Sequence, residues 1–257
     1  MKKTWFQECT RNEIGQADKR SVVLVPVGAI EQHGPHLPVG TDTLILEHLV
    51  NKTAETCSVP LLVAPMIAYG YSLHHFCYPG VLSLSSSTLL SMLCDIGNSA
   101  IRSGFRRLLF VTGHGGNGHI IGQAVRDISC AHDDVTCAGS SYWEIAEPEL
   151  SNKMHRYSHW VPGHAGVFET SMICAICESL VDTTAYDEIK DYEIDSETIL
   201  FSSLRDKAFI ERSNYHRSIR GMTDYRIEDA SKQLGDELIA VAVEKMVSFV
   251  EAFYHHP

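Results

Sequence analysis

Hydrophobic positions along the chain fall into two kinds of run. Short unbroken apolar stretches occur at Val22–Val27 (VVLVPV), Leu61–Pro65 and Arg107–Thr112 (RLLFVT). Runs this short, without polar alternation, are the pattern of strands covered on both faces, as in parallel sheets. Val135–Trp143 is expected to be a fourth strand. Between the strands, apolar residues take helical spacing. From Thr43, LILEHLVNKTAET is apolar at 44, 45, 46, 49 and 50. Ser85–Thr88 offers N-cap candidates for a helix to about Ser103, which Gly104 ends. A third helix runs to about Ala131. Gly166–Leu180 is apolar almost all round and predicts a buried helix. Ile227–Tyr254 predicts a long amphipathic one, and the mixed polarity of 181–226 assigns no element. Strands alternating with helices predict βαβ units, a mainly parallel sheet and one α/β domain over residues 1–257.

Composition narrows the function classes. The 257 residues carry 21 Lys plus Arg against 32 Asp plus Glu, a net charge of −11. That balance, with no basic run, argues against nucleic acid as a partner. No apolar run approaches the roughly 20 residues that span a bilayer. The chain opens with two lysines, Lys2 and Lys3, but its first twenty residues hold no apolar segment of a secretory signal, so a cytoplasmic protein without a membrane partner is expected. The eight cysteines are scattered, which suits reduced, buried thiols. Cys174 and Cys177 form a CxxC without a second pair, read as helix packing rather than a redox or zinc site.

The chemistry concentrates after the first strand, in PVGAIEQHGPHLPVGTDT. Glu31 and His33 are two apart, so in extended backbone both address one side. Asp42 follows a loop with enough Gly and Pro to fold back. His114 stands in a Gly-flanked turn after another strand (VTGHGGN), and Glu169 in the first turn of the buried helix (HAGVFETS). Ligands of open α/β sheets sit at the carboxyl ends of strands. Two imidazoles and three carboxylates suit zinc, manganese or iron rather than a thiolate site, and a carboxylate such as Asp42 can bridge two cations. Each residue also has a plainer reading. Asp42 could be the N-cap of its helix, Glu31 and His33 solvated loop groups, His114 a turn residue, and Glu169 a cap of its own helix. His36 and His119 are read as structural or supporting. GHGGNG is not the dinucleotide fingerprint, no G-x-S-x-G elbow occurs, and no H-E-x-x-H is present.

These motifs, in this order, resemble the creatininase family. The resemblance implies a single-domain three-layer α/β/α fold with a binuclear centre of divalent metal ions, in a homo-oligomer that is often a hexamer. It places Glu31, His33, Asp42 and His114 on metal ligands, with Asp42 as the bridge and Glu169 as the ligand used by members with GHGGN. His164 falls on the acid/base histidine of true creatininase, and Trp143 and Trp160 on two tryptophans near its substrate. Three positions depart from it. A glutamate ligand is Gly116 here, a substrate-touching tyrosine is Gly115, and an aspartate is Val161; these weigh against creatinine.

The expectation is a metal-dependent amidohydrolase that uses metal-activated water on a C–N amide bond, cyclic or formamide-like, of a small polar molecule. Rival readings are hydrolysis of a keto-sugar, cyclitol or formamidopyrimidine derivative, a non-catalytic metal or small-molecule binder, and a nucleotide binder using 113–118.

Overall fold

The computed structural model describes residues 4–157, 161–189, 221–223 and 226–256. Four parallel strands form one sheet: β1 (Val22–Val27), β2 (Leu61–Val63), β3 (Arg107–Thr112) and β4 (Thr136–Ser141), in the order β2-β1-β3-β4. β1 is buried along its whole length, which explains its unbroken apolar sequence. Its side chains alternate between two cores, Val22 and Leu24 on one face and Val23, Val25 and Val27 on the other. β3 does the same, with Leu109 and Val111 against Leu108 and Phe110.

Helices cover both faces and make three layers. Helix α1 (Arg11–Gln16) precedes the sheet and was not expected from the pattern; a capping box between Thr10 and Glu13 holds this single short turn. Helix α2 (Thr41–Thr56) packs Ile45, Leu46, Leu49 and Val50 on the Leu24 face. Helices α3 (Ser86–Arg102) and α4 (Gly118–Ala131) pack Leu89, Leu93, Ile121 and Ile128 on the opposite face. Short helices α5 (Tyr142–Ile145) and α6 (Glu149–Met154) follow, then α7 (Val167–Cys177) and the closing α8 (Lys232–His255). Both α7 and α8 lie on the α2 side, packed on each other.

The chain leaves β1 toward β2, returns past it to β3, and continues outward to β4. With right-handed crossovers, that reversal sends α2 to one face and α3 and α4 to the other. It also parts the loops after β1 and β3, which leave neighbouring strands. This switch point is where an open α/β sheet forms its ligand crevice.

Several boundaries differ from expectation. The fourth strand stops at Ser141 because Ser141 and Glu144 form a capping box: each side chain takes the other's backbone N–H, and the chain turns into α5 before Trp143. Helix α2 starts at Thr41, two residues early, with Gly40 as its uncapped N-cap. Asp42 is therefore inside the first turn and not the N-cap. β2 is shorter than Leu61–Pro65. Residues 178–180 tighten into a 3-10 turn after α7, and 227–229 form another before Ser231 caps α8. None of the eight free cysteines is fully buried, and Cys130 is exposed. Among the described residues no helix is long and apolar enough to cross a membrane.

Candidate metal centre

Three loops meet over the carboxyl ends of β1, β2 and β3, and one buried side chain fastens them. Asn117 donates from Nδ2 to the Gly28 carbonyl at 3.0 Å and accepts at Oδ1 from the Tyr71 N–H at 2.9 Å. Gly70 lies so close that a Cβ would sit 2.6 Å from the Gly28 carbonyl oxygen, so only glycine fits this crossing.

Glu31, His33, Asp42, His114 and Glu169 converge there, none more than 5% exposed. Asp42 stands between two imidazoles, with Oδ1 3.2 Å from His33 Nε2 and Oδ2 3.1 Å from His114 Nδ1. His33 Nε2 also lies 3.8 Å from Glu169 Oε1. Glu169 divides its carboxylate: Oε1 faces the cluster, and Oε2 accepts the Ala165 N–H just before its helix. The capping and ligand readings of Glu169 therefore describe different oxygens. His114 Nε2 meets the Tyr71 carbonyl at 3.0 Å, Ser72 Oγ at 3.3 Å and Glu31 Oε2 at 3.3 Å.

Glu31 is fully buried, and among the described residues neither carboxylate oxygen has a hydrogen-bond partner. Ring nitrogens surround it, His75 Nε2 and His114 Nε2 at 3.3 Å and His164 Nδ1 at 3.6 Å. An uncompensated buried carboxylate is costly. Ligand atoms held at about 2.0–2.2 Å from one tetrahedral cation stand about 3.3–3.6 Å apart, the spacing seen here. Among the described residues three mixed sets of donors gather closely enough to hold a cation: Glu31 with His74 and His114; Glu31 with His33 and His164; and His33 with Asp42 and Glu169.

The titration behaviour reflects crowding of acids and bases away from water. Burial pushes Glu31 up to about 7, although the nearby histidines oppose the shift. For His33, burial acts downward but is outweighed by Asp42 and Glu169, which raise it well above 6.5. Burial likewise opposes the upward pull of Glu31 and Asp42 on His114, which titrates at about 9. Asp42 is held below the usual carboxylate range by His33 and His114 in spite of its burial. His36 is pushed down to about 4 by burial and by the charge of His33.

His164 packs against this group, its ring 4.4 Å from that of His33 and stacked 4.5 Å from that of His75. Its Nε2 lies 2.9 Å from the Gln32 carbonyl. Thr223 straps the segment, its Oγ1 accepting the His164 N–H and its N–H donating to the His164 carbonyl. Ala165 follows in the left-handed region at φ 54°, a conformation a non-glycine residue holds only when its surroundings enforce it. Trp143 and Gly115 share a separate groove of about 440 Å³ with Thr112, His119 and Ser140. Trp160 lies outside the described residues.

Sequence reading passed over His74, His75, Ser72, Gln32 and Asn117. The signal was the His74-His75 pair in the Gly- and Tyr-rich loop after β2, a strand end like the two already chosen. Gln32 links His75, His164 and the Gly221 carbonyl through Nε2 contacts of 2.9–3.0 Å; nothing in its sequence context marks it.

Solved structures share the fold. A creatinine amidohydrolase (creatininase) aligns over 100% of both chains with a TM-score of 0.79 at 24% identity. A creatininase mutant of "Zn-Zn type" and a "Creatininase Mn" align with TM-scores of 0.78 and 0.77, each at 24% identity over 99% of this chain and 100% of theirs. In sequence, a creatinine amidohydrolase of Pseudomonas putida is 34% identical over 194 residues, 70% of this chain and 72% of its own. A mycofactocin precursor peptide peptidase of Mycolicibacterium smegmatis is 43% identical over 108 residues, 40% of this chain and 43% of its own. A 3-dehydro-scyllo-inosose hydrolase of Thermotoga maritima is 30% identical over 113 residues, 43% of this chain and 36% of its own. The last two matches span less than half of those relatives. The family model described as "Creatininase: Creatinine amidohydrolase" matches residues 7–250, and the chain belongs to the creatininase family, whose named relatives are hydrolases.

Proposed function

We propose that the protein is a metal-dependent hydrolase acting on a C–N amide bond, cyclic or formamide-like, of a small polar molecule. One observation carries the reading: a fully buried Glu31 carboxylate without hydrogen bonds, ringed by imidazole nitrogens at 3.3–3.6 Å. A divalent cation supplies the missing partner. The donor set of oxygen and nitrogen suits zinc, manganese or iron. Glu31, Asp42 and His114 would hold one ion and His33, Asp42 and Glu169 a second, with Asp42 shared. When bound, such ions polarise a carbonyl and make nearby water acidic enough to act as nucleophile.

The chain's own groups do the rest. Burial of all five ligands keeps bulk water out, which strengthens every charge interaction at the reacting bond. His164 is 15% exposed at its side chain, more open than the five buried ligands. It holds a proton and delivers it to the leaving nitrogen. Trp143 and Gly115, which line a groove of their own, are proposed with Trp160 as contacts for the body of the substrate.

Creatinine itself fits poorly with the departures at 115, 116 and 161, and a keto-cyclitol is the second reading, favoured by the match to an inosose hydrolase. The test is a panel of creatinine, lactams, formamides, keto-inositols and short peptides, assayed with Zn²⁺ or Mn²⁺ and after chelation. Turnover of an amide that disappears on chelation supports the proposal, and His164→Ala should lower it by about 10²–10⁴-fold. Turnover of keto-inositols alone selects the second reading. Cation binding with no turnover across the panel would make the protein a binder.

A further inference from the structure

Gly116 occupies the place where the resemblance expects a glutamate ligand, and the structure shows why no side chain stands there. A Cβ on residue 116 would collide with His114 Nε2 and with the Tyr71 carbonyl, and would come within 2.9 Å of His74 Cε1. The space is bounded by His114, by the Tyr71 carbonyl and by His74, the last two delivered by the loop after β2. Its ring stacks on that of His114, centroids 5.6 Å apart and planes within 10°. One nitrogen of His74, one of His114 and one oxygen of Glu31 all lie within 4.8 Å of one another. That is slightly wider than one coordination sphere. His74 is the half-buried member of the three. The fully buried Glu31 carboxylate, without a hydrogen bond, points into the same volume.

We propose that His74 is a protein ligand of the cation held by Glu31 and His114, supplying from a neighbouring loop the donor that residue 116 cannot. The inference rests on the metal-centre reading above and adds to it one ligand and one imbalance. The Glu31 side gains an imidazole, while the His33–Asp42–Glu169 side has one. Nitrogen donors favour the metals later in the first row, so the Glu31 position should prefer Zn²⁺ or Co²⁺ over Mn²⁺.

The test uses the purified full chain, stripped by chelation and titrated with Zn²⁺ and Co²⁺, followed by calorimetry, metal content and the visible spectrum of bound cobalt. His74→Phe keeps a flat ring to stack on His114 but removes the nitrogens, and His74→Ala removes both. Circular dichroism of the metal-free proteins checks that each is folded. The expected result is two cations in the parent and, in both variants, one site weakened at least tenfold with a changed cobalt spectrum. If His74→Phe binds both cations with parental affinity and spectrum, His74 is a packing residue and this inference falls while the metal centre stands. If the parent binds neither cation, the metal-centre reading falls as well.

Discussion

His36 offers the sharpest test of how this site is built, because its environment permits only the neutral ring. It lies three residues beyond His33, 1% exposed. Its Nε2 is 2.9 Å from Thr170 Oγ1 on α7, next to Glu169, and its Nδ1 is buried without a partner. Tyr186 packs edge-on against the ring, and His33 is the charged neighbour that disfavours a second positive charge. A proton on Nδ1 would have no acceptor, and burial holds the group at about 4 instead of 6.5. The sign follows directly. Between pH 6.5 and 4 the unfolded chain takes up a proton at His36 that the native chain refuses, so acid favours unfolding. At about 1.36 kcal/mol per unit of pKa, the loss approaches about 3 kcal/mol near pH 4. For a chain of this size that is roughly 6–12 °C of melting temperature. The comparison is His36→Gln, whose amide can still meet Thr170 but does not titrate. Urea unfolding of both proteins in chelator, from pH 7 to pH 4, isolates the residue because every other group is shared. The stability of the parent relative to the variant should fall by about 3 kcal/mol across that range and then level off. A difference that stays constant with pH would mean His36 charges freely in the native state, and the account of a dry seam between the ligand loop and α7 would be wrong.

Other outcomes follow from the same geometry. Asp42→Asn removes the charge from the one carboxylate lying between His33 and His114, and should lower cation affinity by more than tenfold, read by metal analysis after dialysis. Chelation should lower the melting temperature: a cation at a hundred times its dissociation constant contributes about 2.7 kcal/mol per site, or roughly 5–11 °C. Unchanged melting after complete metal removal would contradict a structural coupling between the ions and the three loops. Gly116→Ala forces a methyl onto the Tyr71 carbonyl and His114, and should cost about 1–3 kcal/mol in urea unfolding while displacing His114 from Asp42.

The sequence was informative wherever one physical rule acted locally. A short unbroken apolar run bounded by turn residues fits a strand buried on both faces, and β1 and β3 are such strands. Ser85 capping α3 and Gly104 after it are local signals with local causes. The motifs after β1 and β3 marked Glu31, His33, Asp42 and His114 because strand ends are where these sheets place ligands. The failures have equally definite causes. Val135–Trp143 was expected to be one strand, yet the Ser141–Glu144 capping box ends it at Ser141, a side-chain bond that outranks the pattern. Asp42 before a periodic stretch resembles an N-cap; only the course of the loop moves the helix start ahead of it and turns its carboxylate to the imidazoles.

By itself, then, the chain dictated the alternation of helices with parallel strands and which residue types could bind a cation, because those follow from periodicity and side-chain chemistry over a few residues. Tertiary structure alone added His74 and His75, out of fourteen histidines, to the His33, His114 and His164 that the motifs and the resemblance had marked. The His74-His75 pair and His164 come from segments far apart in sequence, and no local pattern records that Asn117 ties the loop after β2 to the loop after β1. Convergence depends on loop closure over the edge of the sheet, and that is a property of the packed molecule.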